Sequence, residues 1–134
     1  MTTGSVLSIK DFKFSDGAIS PLKLVIILNN PSNDEEYLLV KTTSKPHSRS
    51  KTPGCYSSDN YYFIPKGQDK FRNDTWIIFD EYYHMTQAQM LNGITKNVIT
   101  DMFDLELILW NAIKKCILKS VDLPGDYEGM IKRG

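Results

Sequence analysis

The feature that most constrains this chain is a set of short apolar runs between Leu22 and Phe79, each closed by turn residues. Leu22-Lys23-Leu24-Val25-Ile26-Ile27-Leu28 is apolar on both faces apart from Lys23. A run so short and continuous reads as a central strand. Asn29-Asn30-Pro31-Ser32-Asn33-Asp34 follows as a loop, because proline cannot donate to a ladder and Asn and Asp accept turn geometry. Tyr37–Thr43 is the next strand, and so short a connection makes the two strands antiparallel neighbours. Tyr61–Ile64 and Thr75–Phe79 are aromatic and β-branched and read as further strands. Ser5 to Phe14 alternates weakly through Val6, Ile9, Phe12 and Phe14 and adds one more. Short strands punctuated in this way imply a small barrel or curled sheet.

Downstream the period changes. Thr86 with Gln89 forms a capping-box signature, and Gly93 sits where a C-terminal glycine belongs. Thr86–Asn92 is therefore expected as a short helix. Asn97 to Thr100 fits either a strand or a helical linker. Leu105, Ile108, Leu109, Ala112, Ile113, Cys116 and Ile117 fall on one face at helical spacing. They predict a helix from about Phe103 to Leu118, capped by Asp101 or Asp104, with Lys114, Lys115 and Lys119 at the negative end of its dipole. Pro124-Gly125 stops it and leaves a polar tail, 124–134, expected to be loose. The expected fold is mainly β with a C-terminal helix: a small antiparallel β barrel of the α+β class, in one domain spanning 1–134.

Charge narrows the function. The formal net charge is zero, which excludes bulk electrostatic attraction to nucleic acid. Its distribution is uneven. Between Tyr37 and Asn73 lie seven cations (Lys41, Lys45, Arg49, Lys51, Lys66, Lys70, Arg72) against two acids (Asp59, Asp69). A neutral protein with one basic face fits selective contact with a polyanion, and solvated surface lysines would leave the same pattern. The two cysteines, Cys55 and Cys116, share no metal or redox spacing. They are expected as free thiols in a reducing compartment. Met1 to Phe14 holds no apolar signal core, and no run approaches the roughly 18 apolar residues of a membrane span. The expectation is a cytoplasmic chain with no membrane partner.

Ser20-Pro21 with the run to Leu28, Leu39-Val40-Lys41-Thr42-Thr43-Ser44, Asp74-Thr75-Trp76-Ile77 and the helix Leu105 to Ser120 follow one another in an order that resembles the PemK/MazF toxin superfamily. These are SH3-like-barrel endoribonucleases of toxin–antitoxin modules, and the likeness spans about Phe12 to Asp122. The resemblance implies an SH3-like barrel, RNA as substrate, an antitoxin protein and a homodimer as partners, and no cofactor or metal. It carries the family's Thr/Ser role to Thr43 and Ser44. It departs at the arginine that family members place just before the proline of the second strand. Here Ile19-Ser20 precede Pro21, and the nearest cation is Lys23.

The loop Ser44 to Gly54 concentrates the reactive groups. Metal-free RNA cleavage needs a base for the 2′-hydroxyl, an acid for the leaving 5′-oxygen, and cations for the phosphorane charge. An imidazole can take or give a proton in the neutral range, so His47 can serve either proton role. Arg49 offers paired donors to a phosphate, and Lys45 and Lys51 offer point charges. Thr43 and Ser44 supply hydroxyls. The candidate catalytic set is His47, Arg49, Thr43 and Ser44, with Lys23, Lys45, Lys51 and Arg72 contacting nucleic acid. Tyr56, Tyr61, Tyr62, Tyr82 and Tyr83 could stack on unpaired bases or fill a core. His84 beside Asp80 and Glu81 has no known metal-ligand spacing. Two function classes stay open: a toxin-like, metal-independent endoribonuclease cutting single-stranded RNA, and a non-catalytic SH3-like module binding protein or nucleic acid.

Overall fold

A computed structural model describes residues 1–134. The strands are β1 (Ser5–Lys13), β2 (Ile19–Ile27), β3 (Tyr37–Thr43), β4 (Gly54–Tyr56), β5 (Tyr61–Ile64), β6 (Thr75–Met85) and β7 (Ile99–Asp104), and the helices are α1 (Gln87–Thr95), α2 (Leu107–Leu118) and α3 (Gly125–Arg133). All the strand pairings are antiparallel. The strands form one sheet of seven in the order β4-β5-β6-β3-β2-β1-β7. The mainly β, α+β expectation holds in this form.

The barrel does not close. β4 and β7 are the two edges of the sheet, and no ladder joins them. Strand alternation explains why closure is unnecessary, since each face already has a cover. Val6, Ile26, Leu28, Leu38, Val40, Ile77 and Phe79 point to one side, where Leu109, Ile113, Ile117 and Ile131 from α2 and α3 lie over them. Leu7, Ile9, Val25, Ile27 and Leu39 point to the other, under Met90 of α1. Beyond these, Tyr61, Phe63, Trp76 and Ile78 make a separate small cluster.

Several sequence expectations change. The ambiguous segment 97–100 leads into β7, which pairs with β1. Because that strand runs to Asp104, α2 begins only at Leu107. Neither Asp101 nor Asp104 caps it: Ser5 Oγ donates to Asp104 Oδ1 at 2.8 Å, and the Glu106 amide donates to Asp69 Oδ2 at 2.8 Å. The capping box Thr86/Gln89 is present, but α1 runs past Gly93 to Thr95. The tail expected to be loose is α3. Tyr127, Met130 and Ile131 lie at i, i+3 and i+4 and pack on the core, and Arg133 Nη2 meets Glu35 Oε2 at 2.8 Å.

The expected free thiols are also corrected. Cys55 in β4 and Cys116 in α2 form a disulfide across 61 residues of sequence, with their Cα atoms 5.6 Å apart. The sheet order brings β4 beside α2, a neighbourhood that sequence spacing alone does not reveal. No helix is long and apolar enough to cross a membrane.

Candidate nucleic-acid interface

β2 and β3 pair only from Val25↔Lys41 to Ile27↔Leu39, although β2 runs back to Ile19 and β3 on to Thr43. Next to Val25, where the register ends, Thr42 Oγ1 donates to the Leu24 carbonyl at 2.9 Å. The parted strand ends open a cleft of about 550 Å³. Residues Lys70 to Asn73 form one wall, and Met102 and Phe103 of β7 complete it.

The wall is built by a tight turn. Gly67 donates to the Phe71 carbonyl at 3.0 Å, Phe71 donates to the Gln68 carbonyl at 3.2 Å, and Lys66 donates to Asp74 Oδ1 at 2.8 Å. Gly67 at φ 89° and Asp69 at φ 53° adopt the left-handed backbone that the turn requires. Phe71 is buried edge-on against Phe103, with ring centroids 5.1 Å apart. That anchor leaves Lys70 and Arg72, on either side of it, exposed at the cleft.

The cleft presents Lys23, Lys70 and Arg72, the hydroxyls of Thr42, Thr43, Ser44 and Thr75, and the Asn73 amide, and no Asp or Glu lines it. Its exposed apolar surface comes from Leu22 and Met102. Thr43 Oγ1 accepts the Lys45 amide at 3.2 Å, which leaves the hydroxyl proton free to donate to an incoming oxygen.

Lys23 joins the cleft to a second cationic group. Its ammonium lies 5.4 Å from the centre of the Phe14 ring, and Lys41 Nζ lies 5.6 Å from the same centre. Burial lowers the Lys23 pKa, and the neighbouring charges of Lys41 and Lys45 lower it further. Lys41 has Glu81 at 4.0 Å, whereas no carboxylate pairs with Lys23. The Glu81 carboxyl is held below its ordinary value chiefly by hydrogen bonds from Ser15 and Tyr83, with Lys41 adding less and burial opposing. A half-buried ammonium among like charges gains most from an external anion.

The structure divides the candidate residues. Lys23, Thr43, Ser44 and Arg72 line the cleft, and Lys45 adjoins it through its charge on Lys23. His47, Arg49 and Lys51 do not line it. His47 is exposed with φ 46°, and Lys51 is exposed as well. The Arg49 guanidinium lies 5.9 Å from the centre of the Tyr61 ring, and its Nη1 donates to the Pro46 carbonyl at 3.4 Å. The loop folds down rather than standing free, because Trp76 Nε1 donates to the Ser50 carbonyl at 2.9 Å.

The tyrosines considered for base stacking are engaged in packing. Tyr56 and Tyr61 stack on each other with centroids 4.5 Å apart, and Tyr62 and Tyr82 pack against the main core. His84 Nε2 meets the Tyr127 hydroxyl at 2.5 Å and ties β6 to α3. No group of three metal-ligating side chains forms around it or elsewhere. Sequence reasoning missed Lys70 and Asn73 as cleft residues. The available signal was the pattern Lys70-Phe71-Arg72, an aromatic anchor flanked by cations inside a turn. No protein-family model, curated protein or solved structure matches the chain.

Proposed function

We propose that this chain binds single-stranded RNA in the cleft between β2 and β3. The observation that carries the reading is the cleft lining: three cations, four hydroxyls and an amide with no carboxylate among them. Lys70 and Arg72 face phosphates, the Thr43 and Ser44 hydroxyls donate to phosphate oxygens, and Leu22 and Met102 offer apolar surface to unpaired bases. Arg72→Ala combined with Lys70→Ala should weaken binding of a short fluorescent RNA, measured by anisotropy, and should lower the slope of log affinity against log salt by about one per lost phosphate contact. Unchanged affinity and salt slope would overturn the reading.

Cleavage is the second reading, that of a divergent PemK/MazF-like toxin whose SH3-like barrel has opened into a sheet. Thr43, Ser44 and Arg72 in one cleft support it, since they can stabilise charge on a phosphorane. No histidine or carboxylate lines the cleft to move the protons, so binding is the stronger conclusion. The toxin reading brings an antitoxin, a homodimer and a cytoplasmic setting with it. Growth arrest on expression, relieved by the neighbouring gene, with RNA cut in the presence of a chelator, would move the conclusion to the nuclease. Intact RNA under those conditions would leave the binding module.

A further inference from the structure

We infer that the Cys55–Cys116 disulfide is a thiol–disulfide exchange site, open to a dithiol reductant at Cys55 only, and that it holds the lip of the cleft in its binding shape. The asymmetry of the pair sets the point of attack. Cys55 is exposed on β4, whereas Cys116 is 1% exposed inside the core under α2. A reductant thiolate reaches Cys55 Sγ, forms a mixed disulfide there and displaces Cys116, which takes a proton as it leaves. The Tyr61 carbonyl oxygen lies 3.8 Å from Cys116 Sγ and can accept that S–H. The second thiol of the reductant then attacks its own sulfur in the mixed disulfide and releases Cys55 as a thiol. Two electrons and two protons pass to the protein, and the reductant leaves as a disulfide.

The connection to the cleft runs through Tyr56. Edge strand β4 has only three residues, paired on one side with β5. Tyr56, next to the tethered cysteine, donates to the Thr52 carbonyl at 2.7 Å and bonds Ser50 Oγ at 2.8 Å. The Ser50 amide donates to Tyr61 Oη at 3.0 Å. Those bonds fix the far end of the loop whose near end is Ser44 and Lys45, at the cleft and beside Lys23. With the tether broken, β4 is held only by its three-residue ladder to β5, so the Tyr56 bonds to Ser50 and Thr52 loosen and leave the loop on the Ser50 bonds to Tyr61 and Trp76; short edge elements open at low free energy. The reduced protein then presents a looser cleft lip and binds RNA more weakly.

The coupling to binding rests on the RNA reading; the exchange chemistry does not, and the experiment separates them. Full-length oxidised protein is treated with graded dithiothreitol, with folding monitored by circular dichroism, and samples are quenched with iodoacetamide. A parallel sample receives glutathione as a monothiol, and the adduct is mapped by peptide mass. Glutathione should appear on Cys55 and not on Cys116, in protein that keeps its β-sheet spectrum. Adducts equally on both cysteines, or reduction only on unfolding, overturn the exchange site. Anisotropy with a short RNA is read on both redox forms, and on oxidised Tyr56→Phe, which breaks the link without touching sulfur. Affinity should fall about five-fold or more on reduction, the lower end of ordinary coupling between sites, and should fall in the same direction in Tyr56→Phe. Equal affinity in the two redox forms overturns the coupling. Absence of RNA binding in both forms overturns it too, and sinks the RNA reading while leaving the mapped exchange site standing.

Discussion

Replacing Gly93 by alanine puts one methyl group where the fold has no room for it. A Cβ built at Gly93 would stand 2.4 Å from Ile99 Cδ1 and 2.8 Å from Ile99 Cγ1. The terminal methyl could turn away, but the Cγ1 contact forces the whole side chain to move. Ile99 is buried among Leu7, Ile9 and Val25, so it moves into occupied space. The Val98 amide also donates to the Gly93 carbonyl at 2.9 Å and fixes the approach of the two segments. Overpacking of this kind costs about 1–3 kcal/mol. Alanine recovers about 1 kcal/mol of helix propensity, so Gly93→Ala should destabilise the protein by about 1 kcal/mol. Ile99→Val alone should cost about 1 kcal/mol. In the double variant the remaining γ-methyl is free to rotate, so the combined loss should be smaller than the sum of the single losses by about 0.5 kcal/mol or more. Urea unfolding of the four proteins, followed by circular dichroism, measures all three differences. A stabilised Gly93→Ala, or strictly additive losses, would show that the glycine is tolerated there rather than required.

Reduction of Cys55–Cys116 opens a loop of 61 residues, for which the chain-entropy relation gives a loss of about 4 kcal/mol; a urea midpoint that hardly moves with reductant would contradict it. Asn29 is fully buried, accepts the Leu38 amide at 2.8 Å, and donates to the Glu36 carbonyl at 2.9 Å and to Glu35 Oε1 at 3.2 Å. Asn29→Ala should therefore cost about 2–3 kcal/mol through stranded polar groups, and a loss below about 0.5 kcal/mol in urea unfolding would refute that. Because the folded pKa of Glu81 is depressed by Ser15 and Tyr83, its contribution is present above the unfolded carboxylate value and lost as pH falls through the folded one. Between about pH 5 and pH 3, wild type should lose more stability than Glu81→Gln does, and parallel pH curves for the two proteins would refute the assignment.

The parts of the fold that were legible in the sequence are those decided by local pattern. Tyr37–Thr43 and Tyr61–Ile64 match β3 and β5 residue for residue, because β-branched and aromatic runs between turn residues have few alternatives. The Thr86/Gln89 box also marks the true start of α1. Gly93 misled because a glycine near the end of a helical pattern signals a C-cap, and its actual reason, the close approach of Ile99, lies in tertiary packing. α3 was obscured by composition: Asp126, Glu128, Lys132 and Arg133 make the segment polar on average, while its three packing residues fall on one stripe that only the neighbouring β6 and α2 give a purpose.

The site was legible as chemistry and illegible as place. A histidine, an arginine and two lysines within a short loop look like one site when distance is counted along the chain. In the fold, the loop bends at His47 and Ser48, both with positive φ, and Trp76 holds it down through Ser50. Arg49 thereby meets an aromatic ring instead of the cleft. The groups that do converge come from three segments: Lys23 from β2, Thr43 and Ser44 from the end of β3, and Lys70 and Arg72 from the turn before β6. What gathers them is a failure of pairing, the halt of the β2–β3 ladder at Val25 and Lys41. The cleft exists because two strands that pair at one end part at the other, which leaves Lys23 and Thr43 on the walls of a gap that the turn carrying Lys70 and Arg72 borders.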